Sequence, residues 1–244
     1  MLKFILIIST LFISTITQAS VVIMGTRVIY PADQKSVNVQ LNNSDSSPSL
    51  IQSWIDNGNA SASPDSMAVP FVITPPIFRM EPTSGQTLRI MYTGEPLPQD
   101  RESLFYLNVL DIPAKPKVEE NTEINNSNNY LQLAVRSRIK LFFRPNNLKI
   151  APNDAYEQVV WHLEETTTNS VLKADNPTPY FITYSQISIN SKGINPIKTQ
   201  QTGMIAPFSS GVFPLSQKIT SSGKVNWIVV NDYGGYQKGE SLLK

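Results

Sequence analysis

Residues Asn129–Pro145 read NYLQLAVRSRIKLFFRP, and the fold is decided by how this stretch is taken. Every second position from Leu131 gives Leu131, Leu133, Val135, Ser137, Ile139, Leu141 and Phe143, all apolar but Ser137. The interleaved positions are Gln132, Ala134, Arg136, Arg138, Lys140, Phe142 and Arg144, where basic side chains dominate. Period-two alternation of this kind marks a β-strand with one dry and one wet face. At about 3.3 Å per residue, Leu131–Phe143 spans on the order of 45 Å, against a usual strand of about five or six residues. A single domain does not bury such a strand along its whole span, so part of it is exposed or serves a second partner. Exposed apolar strands aggregate unless they are used to pair with another chain.

The first nineteen residues read as a leader. Lys3 is a short basic region, Phe4–Ile13 an apolar stretch, and Thr17-Gln18-Ala19 a small-residue cleavage site. This is a signal peptide over residues 1–19, too short in its apolar run to span a bilayer. No later stretch approaches the apolar length of a spanning helix, so no membrane insertion is expected. Without Lys3 the basic and acidic residues balance at nineteen each, which removes any general attraction to nucleic acid. Cysteine is absent: an exported chain of this kind relies on packed cores rather than crosslinks, and thiol chemistry is excluded.

Strand signals fill the first half: Val21–Tyr30, Ser36–Leu41, Ile51–Ile55, Phe71–Ile73, Thr87–Tyr92, Leu104–Leu110 and the long strand. Polar turns such as Asn42-Asn43-Ser44-Asp45 separate them, the pattern of an immunoglobulin-like β-sandwich. Arg144-Pro145-Asn146-Asn147 then breaks the ladder. Gln158–Leu163, Tyr180–Ile189 and Val225–Val230 are the clearest strands of a second set. The expected architecture is all-β, with an N-terminal sandwich over residues 20–146 and a C-terminal one over 147–244. Ala114–Tyr130, rich in Lys, Glu and Asn, reads as a loop preceding the long strand.

Catalytic residue types are scarce. His162 is the only histidine, so neither a zinc site nor a Ser-His-Asp triad can be assembled. Gly234-x4-Gly239-Glu240-Ser241 imitates a phosphate-binding loop, but Glu240 stands where that loop needs a lysine. The expectation is a protein that is not an enzyme and needs no cofactor or metal.

Six strings, in order, resemble the pilus-assembly chaperones of the chaperone–usher pathway. They are Thr26–Pro31 (TRVIYP), Thr74–Arg79 (TPPIFR), Asp100–Phe105 (DRESLF) with Asn108 and Ile112-Pro113, Ile139–Pro145 (IKLFFRP), Asn176–Tyr180 (NPTPY) and Asn231–Gly235 (NDYGG). The resemblance implies two immunoglobulin-like domains at an angle, with a cleft between them, working in the periplasm. It implies pilus (fimbrial) subunits as partners, each lacking the last strand of its own sandwich, and an outer-membrane usher as the recipient. By the same resemblance Leu131, Leu133 and Val135 are donor residues that fill the subunit groove. Arg27 and Lys140 anchor the subunit's C-terminal carboxylate, and Glu102, Arg144 and Asp232 form a charge network between the domains. A second copy of the chain is a further candidate partner, capping the free donor strand as a homodimer. The preceding loop is longer than in short-loop members, whereas the cysteine pair typical of long-loop members is missing; the second departure favours the short-loop class. The competing reading, a pilus subunit or adhesin of the same pathway, fits poorly, because subunits usually carry a cysteine pair.

Overall fold

A computed structural model of the chain describes residues 21–61, 63–115, 131–166, 169–190, 196–219 and 223–244. The signal peptide expected over residues 1–19 and most of the loop expected over Ala114–Tyr130 lie outside them. Two β-sandwiches are stacked along the chain. The first comprises β1 (Val21–Ile23), β2 (Arg27–Pro31), β3 (Val37–Asn43), β4 (Ser49–Asp56), β5 (Phe71–Thr74), β6 (Ile77–Met80), β7 (Gly85–Tyr92), β8 (Ser103–Pro113) and β9 (Val135–Arg144). One sheet runs β1-β3-β7-β5 and the facing one β2-β9-β8-β4-β6.

Alternation produces the core between them. In β3 and β4 every second side chain is buried, as are Leu88 and Ile90 in β7, and Leu41, Ile51, Leu88, Ile90, Leu107 and Leu141 are withdrawn from water completely. An aromatic group closes one end: Tyr30, Phe71, Tyr92, Phe105 and Phe143 pack with ring centroids between 4.6 and 6.4 Å. The Tyr30 hydroxyl donates to Gln34 O at 3.0 Å and accepts from Tyr92 N at 3.0 Å, so its burial leaves no polar atom stranded.

After a short helix, α1 (Pro152–Ala155), the second sandwich follows. Its strands are β10 (Val160–Glu165), β11 (Ser170–Asn176), β12 (Ile182–Asn190), β13 (Ile197–Lys198), β14 (Met204–Ile205), β15 (Ser209–Pro214), β16 (Lys224–Val230) and β17 (Tyr236–Leu242). The sheet β10-β11-β15 faces β13-β12-β16-β17, with β14 also paired to β12. Trp161 and Trp227 anchor a second, separate core with Leu172, Ile187 and Val225.

Two expectations need correcting. Val21–Tyr30 is not one strand: β1 pairs with β3 in one sheet and β2 with β9 in the other. The chain changes sheets at Met24-Gly25-Thr26, where Gly25 adopts φ +136, a conformation L side chains avoid. The long strand also begins later than expected, at Val135 rather than Leu131. Its neighbour β8 ends at Pro113, and Asp111 opposite Val135 is the last ladder pair. Residues 131–134 pair with no strand among the described residues.

Phe143 is buried at the centre of the aromatic group. Phe143→Ala is expected to cost about 3–5 kcal/mol, measured as a lowered urea midpoint for the first sandwich.

Candidate functional site

The parallel pairing of β2 with β9 places Arg27 directly opposite Lys140, so both side chains leave the same face of the sheet. That face looks toward the second sandwich. Arg27 Nη1 donates to Val230 O at 2.9 Å and Lys140 Nζ to Thr183 Oγ1 at 3.3 Å. The Arg27 guanidinium also lies 5.7 Å from the centroid of the Phe142 ring. Its Nε is buried and makes no hydrogen bond among the described residues. Burial, the largest influence, pulls the Arg27 pKa below its ordinary value. It does the same for Lys140, with the charge of Arg27 adding to it. Neither cation has an ion-pair partner among the described residues. Two partly desolvated cations side by side, one with an unused donor, have the chemistry to make several charge-assisted bonds to an anionic group such as a carboxylate.

Beside this pair the structure brings Glu102, Arg144 and Asp232 together. Arg144 Nε donates to Glu102 Oε1 at 2.8 Å, and its two terminal nitrogens form a fork on Asp232 at 2.6 and 2.8 Å. Glu102 and Arg144 come from the first sandwich, Asp232 from the second. The other oxygen of Glu102 accepts the N–H of Phe181 at 2.9 Å, and Glu102 N donates to Pro179 O at 2.9 Å. One glutamate is thus tied to the second sandwich through both backbone and side chain. It is only 4% exposed, and burial raises its pKa despite the pull of Arg144 and the Phe181 N–H. For Arg144 burial is likewise the largest influence, but Asp232 and Glu102 outweigh it and hold the guanidinium above the ordinary arginine value. Next to the network, Phe142 packs at a tilt against Phe181 across the domain junction, with centroids 5.7 Å apart.

Asp232 is presented by a tight turn after β16. Asn231 Oδ1 accepts the N–H groups of Tyr233 at 3.1 Å and Gly235 at 2.9 Å, and Asn231 N donates to Gly235 O at 2.9 Å. A Cβ on Gly234 would lie 2.4 Å from Thr26 Oγ1, so a residue without a side chain is what lets the turn reach the residue next to Arg27. The Gly234–Gly239 decoy is thereby explained: Gly234 serves this approach, and Gly239 lies under the Trp227 ring.

The expected donor residues are all exposed: Leu131 by 82%, Leu133 by 63% and Val135 by 58%. β2 covers β9 only from Lys140 to Arg144. From Val135 to Ile139 the strand pairs with β8 on one side, and among the described residues its other edge is free. An apolar, unpaired edge thus leads into the two-cation site.

The sequence did not point to Thr183, Val230 or Phe181, which complete the site from the second sandwich. Nothing in their local patterning separates them from ordinary strand residues. His162 lies away from the site, on β10 beside Asp175, Nε2 to Oδ2 3.2 Å.

The model for pili and flagellar-assembly chaperones, PapD N-terminal domain, matches residues 20–149. That for the pili assembly chaperone PapD, C-terminal domain, matches residues 154–241. The chain belongs to the pilus-assembly chaperone family. This chaperone is 48% identical over 227 residues to the chaperone protein HifB of Haemophilus influenzae, covering 93% of this chain and 89% of that one. Among solved structures it is similar to the YadV chaperone, with TM-score 0.76 and 39% identity, covering 92% of this chain and 100% of that one. It is also similar to the SafB chaperone of Salmonella enterica, solved in complex with the SafA pilin. There the TM-score is 0.72 and the identity 29%, covering 93% of this chain and 97% of that one.

Two outcomes follow from the charges. Lys140 is expected to titrate below the ordinary 10.5, read from the NMR shift of its Cε. Arg27→Ala removes a like charge, favours the ammonium and moves the pKa part of the way back up, burial remaining. Arg144→Met strands Glu102 without its cation and is expected to cost about 3–5 kcal/mol in denaturant titrations, with Glu102→Gln in the same chain restoring part of the loss.

Proposed function

We propose that this chaperone works in the periplasm, where it captures pilus subunits whose own sandwich lacks its last strand. Leu131, Leu133 and Val135 enter the subunit groove, while the free edge of β9 supplies main-chain hydrogen bonds to the subunit. Arg27 and Lys140 take the subunit's C-terminal carboxylate. Fixing that end sets the register, because a slip of one residue would turn every donor side chain to the wrong face. Glu102, Arg144 and Asp232 hold the two sandwiches so that the cations and the donor edge keep one geometry. The leader over residues 1–19 directs export, and the loaded complex passes to an outer-membrane usher. In the unloaded state a second copy of the chain covers the donor edge.

The observation that carries this reading is the junction of three features along β9: an exposed apolar row, an edge unpaired among the described residues, and at its inner end a pair of cations with no counter-ion among those residues. The SafB chaperone, similar over nearly its whole length, was solved with a pilin bound, which supports the same class of partner here. Each aliphatic side chain buried in a groove contributes roughly 1.5–3 kcal/mol before the cost of ordering.

The test is an affinity pull-down of the tagged mature chain from its native periplasm, followed by mass spectrometry. Wild type is expected to retain pilus subunits, and the double variant Arg27→Ala, Lys140→Ala to lose them. Equal capture by both would remove the anchor assignment, and no capture by wild type from cells expressing subunits would remove the chaperone–subunit reading itself.

A further inference from the structure

The basic residues of β9 expected on a wet face are not free in solvent. Arg138 forms a fork on Asp56, Nη2 to Oδ1 2.6 Å and Nε to Oδ2 2.8 Å. Asp56, the last residue of β4, has a side chain with 0% exposure. Its carboxylate also accepts Asn108 Nδ2 at 2.7 Å and the N–H of Gly58 at 2.7 Å. Arg136 donates from Nε and Nη2 to Asn108 Oδ1, at 3.0 and 2.7 Å, and from Nη1 to Ala60 O at 2.7 Å. Both guanidiniums lie over rings of the same sheet, Arg138 at 3.5 Å from the Tyr106 centroid and Arg136 at 4.8 Å from that of Trp54.

The register gives this cluster a direction. Asp56 pairs with Tyr106 across β4 and β8, whereas Arg138 pairs with Asn108 across β8 and β9. The Arg138–Asp56 bridge therefore runs diagonally over β8, binding three strands by their outer face. Arg136 and Arg138 both lie on the free-edged stretch of β9. Lys140, where β2 begins to cover the edge, turns to the cleft instead.

We infer that Asp56 and Arg138, supported by Asn108 and Arg136, are positioning residues for strand donation. They hold residues 135–139 against β8 so that the uncovered edge is straight when a subunit strand arrives. The inference rests on the donor reading above. A strand paired on one side only frays readily, and a frayed edge would have to be ordered at the expense of subunit affinity. The network orders it in advance, from a face the subunit strand does not use. The carboxylate stays ionised in this role: burial, the largest single influence, opposes it, but the hydrogen bonds of Arg138, Asn108 and Gly58 outweigh burial and keep the Asp56 pKa below its ordinary value.

Hydrogen exchange of the free mature chain tests the idea without any partner. In Arg138→Gln, the β8-facing amides of residues 135–139 are expected to exchange about ten- to a hundredfold faster, while those of 141–144 stay as in wild type. Arg138→Lys, which keeps a charge but loses the fork, should fall between. Asp56→Asn should reproduce the local loss; should it fail to fold, the two Arg138 variants decide alone. Unchanged exchange, or a uniform rise along 135–144, would overturn the inference. With the subunit recovered in the pull-down above, Arg138→Gln should release it about ten- to a hundredfold faster, and equal release would also overturn it. Absence of capture by wild type defeats the donor reading and the purpose assigned to this network. The exchange result, obtained on the free chain, reports on the network separately.

Discussion

Arg144 sits between two carboxylates drawn from opposite sandwiches, and the relation of the domains depends on that sharing. A guanidinium and a glutamate so far from water are tolerated only when every charge has a partner in good geometry. Glu102 meets this condition with Arg144 on one oxygen and the Phe181 N–H on the other. The junction is thereby restricted to arrangements in which all these bonds are made together. Lys140 lies four residues before Arg144 on the same face of β9, and Thr183 two residues after Phe181. The network that closes the junction therefore also sets the spacing of the cleft.

β9 illustrates how much one alternating pattern can carry. Its inward row passes from exposed Val135 through partly buried Ile139 to buried Leu141 and Phe143, so a single apolar face belongs to two environments. Its outward row gives Arg136 and Arg138 to the sheet, Lys140 to the cleft, and Phe142 and Arg144 to the neighbouring sandwich. Since the period is two, these assignments are not independent: a shift of one residue would exchange core and cleft along the whole strand.

This dependence explains what was legible in the sequence. Central strands such as Ile51–Ile55 and Leu104–Leu110 announce themselves because both their periodicity and their composition are apolar. β17 went unread because it is an edge strand whose Tyr236–Leu242 sequence has no buried residue. β11 has perfect alternation of burial, but Lys173 and Asp175 on its open face mask it. Site residues in motif strings were legible; their partners were not. Asp56 closes an ordinary strand, and only the fold reveals that Arg138 reaches it across β8. The basic row looked like a solvated face because sequence gives the side to which a residue points and not what lies above that side.

The parallel pairing of β2 with β9 has a consequence for how the protein matures. Arg27 lies in the second strand, yet its strand partner is on β9, the last strand of the first sandwich, and its bond to Val230 links positions 203 residues apart. Contacts between such distant positions carry the largest loop-closure cost and form late in folding. Arg27 and Lys140 thus meet when the first sandwich closes, and the Val230 carbonyl reaches Arg27 only once the second has formed and docked. A chain whose first sandwich is unfinished holds the two cations apart, so the two-cation cleft is itself a report that this sandwich has finished folding.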